Sequence, residues 1–351
     1  MRPTRLLAPV ATLCTAVLGA RPAAATVTIC ATNASNLQAA LTAAQDNTEK
    51  TIIEVARGFY SAADVGGTFS FSGGPQLDIS GGYNSDCSEQ IEDPALTVLD
   101  GGDGSSDVAL LYNTTSGISV RFLTFQNGGG GGLYAFSRTG PVIVSYNIMR
   151  LNTGQFCTGA WVGISDGGGT GNVTFWNNLV HANTAVGNVL ATATKGGGCI
   201  ENIGSGSTYV TNNTVADNLL TNPGAGAIGG FEIEAAANVY LSNNIFWAND
   251  PGTLDVSIPA GSPVLSHNDI GTLSASPDPA SSGNLVVDPQ FAGGGSYRLM
   301  PTSPLLNAGA VTPAGNLPSI DILGHARTFA GTVDLGAYEQ ADDIFGDRFG
   351  G

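Results

Sequence analysis

Three glutamates carry the chain's clearest chemical potential. Glu232 and Glu234 stand two residues apart in GGFEIE (229–234), and Glu201 stands in the similar phrase GGCIEN (197–202). Alternate residues of a strand face one side, so Glu232 and Glu234 project together, ~6.6 Å apart along the chain. That falls within the ~6.5–9.5 Å carboxyl separation of an inverting glycosidase. Counting back from the asparagine column described below stacks Glu201 on Glu232, on the outer face. Counting from the glycine pairs turns it inward, where an unpaired carboxylate is costly, so the first register is expected. Outward acids on adjacent strands can share a proton, hold Ca²⁺ or contact sugar hydroxyls. A solvated polar face is the plain alternative. A lyase of the pectate type also wants a basic proton acceptor, and Lys195 and Arg150 are the only basic residues between 139 and 297.

Asp100, Asp103 and Asp107 lie among glycines in DGGDGSSD (100–107), a second place for a cation. An EF-hand loop needs an acid at its twelfth position, where Leu111 stands instead. The β-roll nonapeptide would recur, with its aspartate one residue before Asp107. A turn is therefore expected, with Ca²⁺ as the alternative and no other cofactor. Tyr134, Trp161, Trp176 and Trp247 lie in or beside strands, offering either stacking surfaces to sugar rings or packing for the coils. Tyr134 and Trp161 are the ligand-binding candidates. His181, His267 and His325 are scattered, and no G-x-S-x-G or phosphate loop is present.

The elements that must position these side chains are repeated. Asn147, Asn178, Asn213, Asn244 and Asn268 each follow a short β-prone run, at intervals of 31, 35, 31 and 24 residues. A second asparagine follows five positions after the first four: Asn152, Asn183, Asn218 and Asn249, with Asn127 fitting one repeat earlier. A loose period of this size without helical periodicity means a solenoid of β-coils. Asparagine suits a left-handed corner, and stacked amides can bond along the axis. Glycine-led strands precede the asparagine strands at 131–136, 159–164, 197–202 and 229–234, giving two strand patterns per coil. Residues 35–46 read as a helix capped by Ser35 with Gln38, whose stripe of Leu37, Ala40, Leu41 and Ala44 would close the N-terminal end. The expectation is an all-β, right-handed parallel β-helix with a short N-terminal capping helix. It would have roughly ten coils and ~50 Å length at ~4.8 Å per coil.

Residues 1–25 read as a secretory signal peptide: Arg2 and Arg5, an apolar run from Leu6 to Ala20, and Ala23-Ala24-Ala25 before the cut. No later run reaches the ~18 apolar residues of a membrane span. Losing residues 1–25 removes three arginines and no acid, leaving 9 basic against 28 acidic side chains, a net of −19. That disfavours nucleic acid and anionic polysaccharide and leaves neutral polysaccharide or a cell-surface partner. Glycine is 50 of 351 residues, as many tight turns require. The remaining cysteines allow three pairings; Cys30–Cys87 and Cys157–Cys199 are the expected ones, with buried free thiols as the alternative.

From 272 the texture changes. The series Asp288 to Phe291, Tyr297 to Leu299, Ser303 to Gly309 (SPLLNAG), Asp321 to Arg327 (DILGHAR) and Val333 to Glu339 (VDLGAYE) resembles the choice-of-anchor Q domain. This family of exported bacterial proteins is similar in coil design to the pectate-lyase-like superfamily. The resemblance implies one β-helix domain over 26–340, with 272–340 as the choice-of-anchor-Q-like part and 341–351 as a tail. A monomer is expected, secreted or held at the cell surface or outer membrane of a Gram-negative bacterium by way of the signal peptide. The resemblance says little of activity. The tail IFGDRF resembles IFxDGF-like endings, with Arg348 in place of glycine. The expected function is non-catalytic adhesion or glycan binding, against a polysaccharide lyase or glycoside hydrolase, or a structural spacer.

Overall fold

The computed structural model describes residues 25–187, 194–224, 226–250 and 252–340. All of the expected leader except Ala25, and the whole tail 341–351, lie outside the described residues. The chain winds as a right-handed parallel β-helix with three long sheets. One coil shows the order: Gly131–Ser137 in sheet C, Val142–Ser145 in sheet A, then Ile148–Arg150 in sheet B. The sequence suggested two strands per coil. The third was hidden because sheet B strands such as Ile148–Arg150, Leu179–His181 and Thr214–Ala216 have three residues, too few to show an alternation. Sheet A has nine strands, so its eight steps span ~38 Å rather than ~50 Å.

The helix Ala34–Asp46 closes the N-terminal end. Its cap is Asn33, not Ser35: the Asn33 backbone is extended, and its side chain accepts from Asn36 N at 2.9 Å. Leu37 and Leu41 meet Phe69, Leu111 and Phe125 around a residual cavity of about 10 Å³, which is lined wholly by apolar side chains. Cys30 and Cys87 are joined nearby, with their Cα atoms 5.8 Å apart.

Two columns of asparagine run along the axis inside the coil. Asn147 donates its backbone N–H and its amide to Asn178 Oδ1, at 3.0 and 3.2 Å. Asn178 does the same to Asn213, Asn213 to Asn244, Asn244 to Asn268, and Asn268 to Asn284. The second column runs through Asn152, Asn183, Asn218 and Asn249 and ends on the Asp255 carboxylate. These asparagines are not the left-handed residues. That conformation belongs to the residue before each: Tyr146, Asn177, Asn212, Asn243 and His267 in the first column, and Leu151, Ala182, Asp217 and Ala248 in the second. Asn127 belongs to this left-handed set with φ 56°, and Gly128, whose N–H donates to Asn152 at 2.9 Å, takes the ladder place. Asparagine is chosen because the bend strands a buried N–H and carbonyl, and a primary amide satisfies both while passing the pattern to the next coil.

Beyond Leu285 the chain adds no coil. It turns back over the outside, with an antiparallel hairpin of Phe291–Gly293 and Ser296–Leu299. Tyr297, Ile322 and Ala337 pack on Ile148, Leu179 and Ala216 of sheet B, and Leu299, Leu305 and Leu335 pack on Ile245. At the corner between sheets A and B, Asn177, Asn212 and Asn243 donate to the carbonyls of Ile320, Asp334 and Ala310. Fully buried Arg327 donates to Asn177 Oδ1 at 2.5 Å and to Ala337 O at 2.8 Å, and pairs with Glu339 at 3.4 Å.

Asn213→Ala should cost about 2–4 kcal/mol in urea unfolding, because it leaves the buried Asn178 N–H without an acceptor; a loss below about 1 kcal/mol would show the column to be dispensable. His181 lies under the Tyr297 ring, centroids 4.7 Å apart. Burial, aided by Arg150, pulls its pKa from 6.5 down to about 4. Below 6.5 the unfolded chain takes up a proton that the folded chain refuses, so stability drains away as pH falls from 6.5 to about 4. His181→Gln should flatten the melting temperature across that window, and parallel curves for the two proteins would refute this.

Candidate active face on sheet C

The C-terminal segment covers sheet B and the A–B corner; on sheet C the outward side chains are unevenly exposed, Leu110 and Glu234 being exposed, Tyr134, Trp161, Glu201 and Glu232 half-buried, and Phe136 and Cys199 buried. Their positions follow from parallel pairing. One outward column runs Leu110, Tyr134, Trp161, Cys199, Glu232 and Ser257. The adjacent column runs Tyr112, Phe136, Gly163, Glu201 and Glu234. Between them point inward the buried side chains Ala135, Val162, Ile200 and Ile233. The alternation was readable from sequence; the neighbours across strands were not.

Glu201 faces outward, but it stacks on Glu234 and not on Glu232. Neither count from sequence gives this register. The asparagine column shifts by 31 residues between these coils and the glycine pairs by 32, whereas Glu201 to Glu234 is a shift of 33. The corner between Gly198–Asn202 and Thr208–Thr211 holds two more residues than the one between Phe231–Ala235 and Val239–Ser242, and it absorbs the difference. Cys199 therefore neighbours Glu232.

The upper part of the face is aromatic. Tyr134 meets Trp161 edge-on at 5.3 Å, and Phe136 stacks on Tyr134 at 4.6 Å and meets Trp161 edge-on at 5.8 Å. Gly163 permits this corner, since a methyl there would strike the Phe136 ring and the Glu201 carbonyl. The lower part is ionic. Lys195 Nζ lies 2.7 Å from Glu232 Oε1, with these side chains only 15% and 18% exposed. Burial pushes the Glu201 carboxyl above its ordinary value. The Trp161 N–H, which faces that carboxylate without reaching good hydrogen-bond geometry, and Lys195 pull it back; Glu234 and Glu232 raise it further. Glu234 is exposed.

In the sequence Lys195 stands out only as a scarce base. Its partner is 37 residues away and no spacing rule links them. The Cys157–Cys199 disulfide stands beside this ion pair, its Cα atoms 5.3 Å apart. The other candidates are dispersed. Asp100 ends a sheet B strand, where its oxygens accept from Gly102 N, Gln126 and Asn127 at 2.7–2.8 Å. Asp103 occupies an exposed left-handed turn. Asp107, its carboxyl pushed up by burial, begins a sheet C strand opposite Gly131. Among the described residues, no three His, Cys, Asp or Glu side chains converge as a metal site. Trp176 and Trp247 lie on sheets A and B, away from Tyr134 and Trp161.

A cavity of about 720 Å³ lies elsewhere, inside the C-terminal segment, lined by Arg298, Met300, His325, Phe329 and Tyr338. It adjoins Gln340, where the described chain stops, and contains none of the sheet C side chains. Among the described residues no helix is long and apolar enough to cross a membrane. Fold and site together define a parallel β-solenoid whose sheet C carries an outward face that is part aromatic and part carboxylate. No protein-family model, no curated protein and no solved structure matches the chain.

Carboxyl-detected NMR should find Glu201 titrating above the ordinary carboxylate range. Glu234→Gln should lower that value and Lys195→Met should raise it. Movement of either in the opposite direction would refute this arrangement of charges.

Proposed function

We propose that this protein is an exported β-helix protein that binds glycan on the outer face of sheet C without cleaving it. The reading rests on one observation: the Tyr134–Phe136–Trp161 corner adjoins the outward carboxylate Glu201 on the next strand, with Glu234 stacked on Glu201 one strand further on. Sugar rings present apolar C–H faces that stack on aromatic rings, and their hydroxyls donate to carboxylates. The mature net charge of −19 favours a neutral glycan over an anionic one. Two disulfides suit an oxidising compartment, and the choice-of-anchor-Q-like series in 272–340 supports export to the bacterial surface or medium.

A hydrolase is the second reading, favoured by the pairing of Glu201, whose pKa is raised, with exposed Glu234 on the next strand. Two carboxylates in unlike surroundings are the requirement for an acid and its partner.

A glycan array on the mature protein, scored for both retention and released product, separates the two. Retention without release is expected, weakened about tenfold by Trp161→Ala. Release of oligosaccharides that is lost in Glu201→Gln would establish the hydrolase instead. No retention on any neutral glycan would reject the binding face.

A further inference from the structure

The disulfide Cys157–Cys199 lies on the outward side of sheet C, with Cys157 half-buried and Cys199 buried beneath its neighbours. Cys199 occupies the outward column between Trp161 and Glu232. Cys157 pairs through its backbone with Lys195: Lys195 N donates to Phe156 O at 2.8 Å, and Thr158 N donates to Lys195 O at 3.0 Å. On its other side Lys195 pairs with Ile228. The segment carrying Lys195 is thus pinned to Cys157, and Cys157 is pinned to the strand that begins at Gly198. The closed loop fixes where the ammonium lands, 2.7 Å from Glu232. A lysine side chain is long and rotamer-rich, so holding it on one carboxylate of three requires its backbone to be fixed.

We propose that Lys195, held by this disulfide, determines which sugars the face accepts. The proposal rests on the glycan-binding reading above. With Lys195 on Glu232, one of the three carboxylates is neutralised, and the face suits neutral sugars that offer hydroxyl donors. With Lys195 released, Glu232 joins Glu201 and Glu234 beside the aromatic corner. That arrangement suits an amino sugar, whose ammonium satisfies the carboxylates while its ring stacks on Trp161. The charged groups facing Glu232 are Lys195 on the corner segment, Glu201 on the preceding strand and Glu234 on its own strand. Arg138 is engaged elsewhere, with Asp166 at 2.9 Å.

The test uses the full mature chain and two probes, a neutral gluco-oligosaccharide and a fully de-N-acetylated chito-oligosaccharide. The Cys157→Ser, Cys199→Ser double variant should shift preference toward the amino sugar by about five- to tenfold, the effect of one added charge at a partly solvated site. Lys195→Met should produce the same shift, and combining all three substitutions should add nothing more. Glu232→Gln breaks the ion pair without touching the disulfide and should move preference the other way, so the proposal stays testable if the cysteine variant fails to fold. Acylation of Lys195, mapped by peptide mass, reads the clamp without any glycan: it should accelerate in the cysteine variant and in Glu232→Gln. Shifts that add between the disulfide and the lysine would reduce the disulfide to a staple and overturn the proposal, as would unchanged acylation. If neither sugar binds any form while acylation responds, the clamp stands and the glycan reading falls.

Discussion

A buried amide that must be satisfied at every bend governs this molecule. Each coil turns twice through a left-handed residue between sheet A and the next sheet C strand, and each turn carries backbone N–H and carbonyl groups into a dry interior. The asparagine columns answer this with one side chain per bend. Each oxygen accepts from the coil before it, and each amide donates both to the next asparagine and to a backbone carbonyl of the coil before. The bonds from one asparagine to the next all point one way along the axis, while the second amide hydrogen donates back, as Asn178 does to Val144; each column therefore needs an acceptor at its end. Asn284 and Asp255 provide those ends, and Asp255 takes four bonds, from Asn249 and Thr272, with no donor to misplace.

This column also explains where variation is permitted. Coil length changes freely at the corners on either side of sheet C, because the ladder resets the register once per turn. Strands of sheets A and B keep the asparagine spacing, and strands of sheet C do not. A face built on sheet C can therefore acquire different neighbours through a change of two residues in a corner, without disturbing the core. The Glu201–Glu234 stack arises in this way, and so does the placement of Cys199 against Glu232.

The C-terminal segment decides which face is available. It buries apolar side chains on sheet B and reads the A–B corner through Asn177, Asn212 and Asn243, with Arg327 locked at the centre of the contact. A buried guanidinium is tolerable because carbonyls, an amide and Glu339 surround it. Sheet B and the A–B corner are thereby given over to internal packing, and Tyr134, Trp161 and the carboxylates of sheet C face out.

Local chemistry along the chain was enough to specify the solenoid, its coil repeat, the stacked asparagines, the helix that plugs one end, and the outward direction of Glu201, Glu232 and Glu234. Each is a matter of near neighbours: a side chain's alternation along its own strand, or a polar group recurring at every bend. The third sheet was not legible, because its three-residue strands carry no period. Nor was the true helix cap, which depends on the backbone angle at Asn33. Which residues meet across coils was settled in three dimensions alone. Pairing between strands is fixed by how many residues each corner absorbs, and corner geometry is not written in any strand. For that reason Lys195 met Glu232, Asp100 met the amides of Gln126 and Asn127, and Tyr134 and Trp161 came to stand on adjacent strands of one sheet.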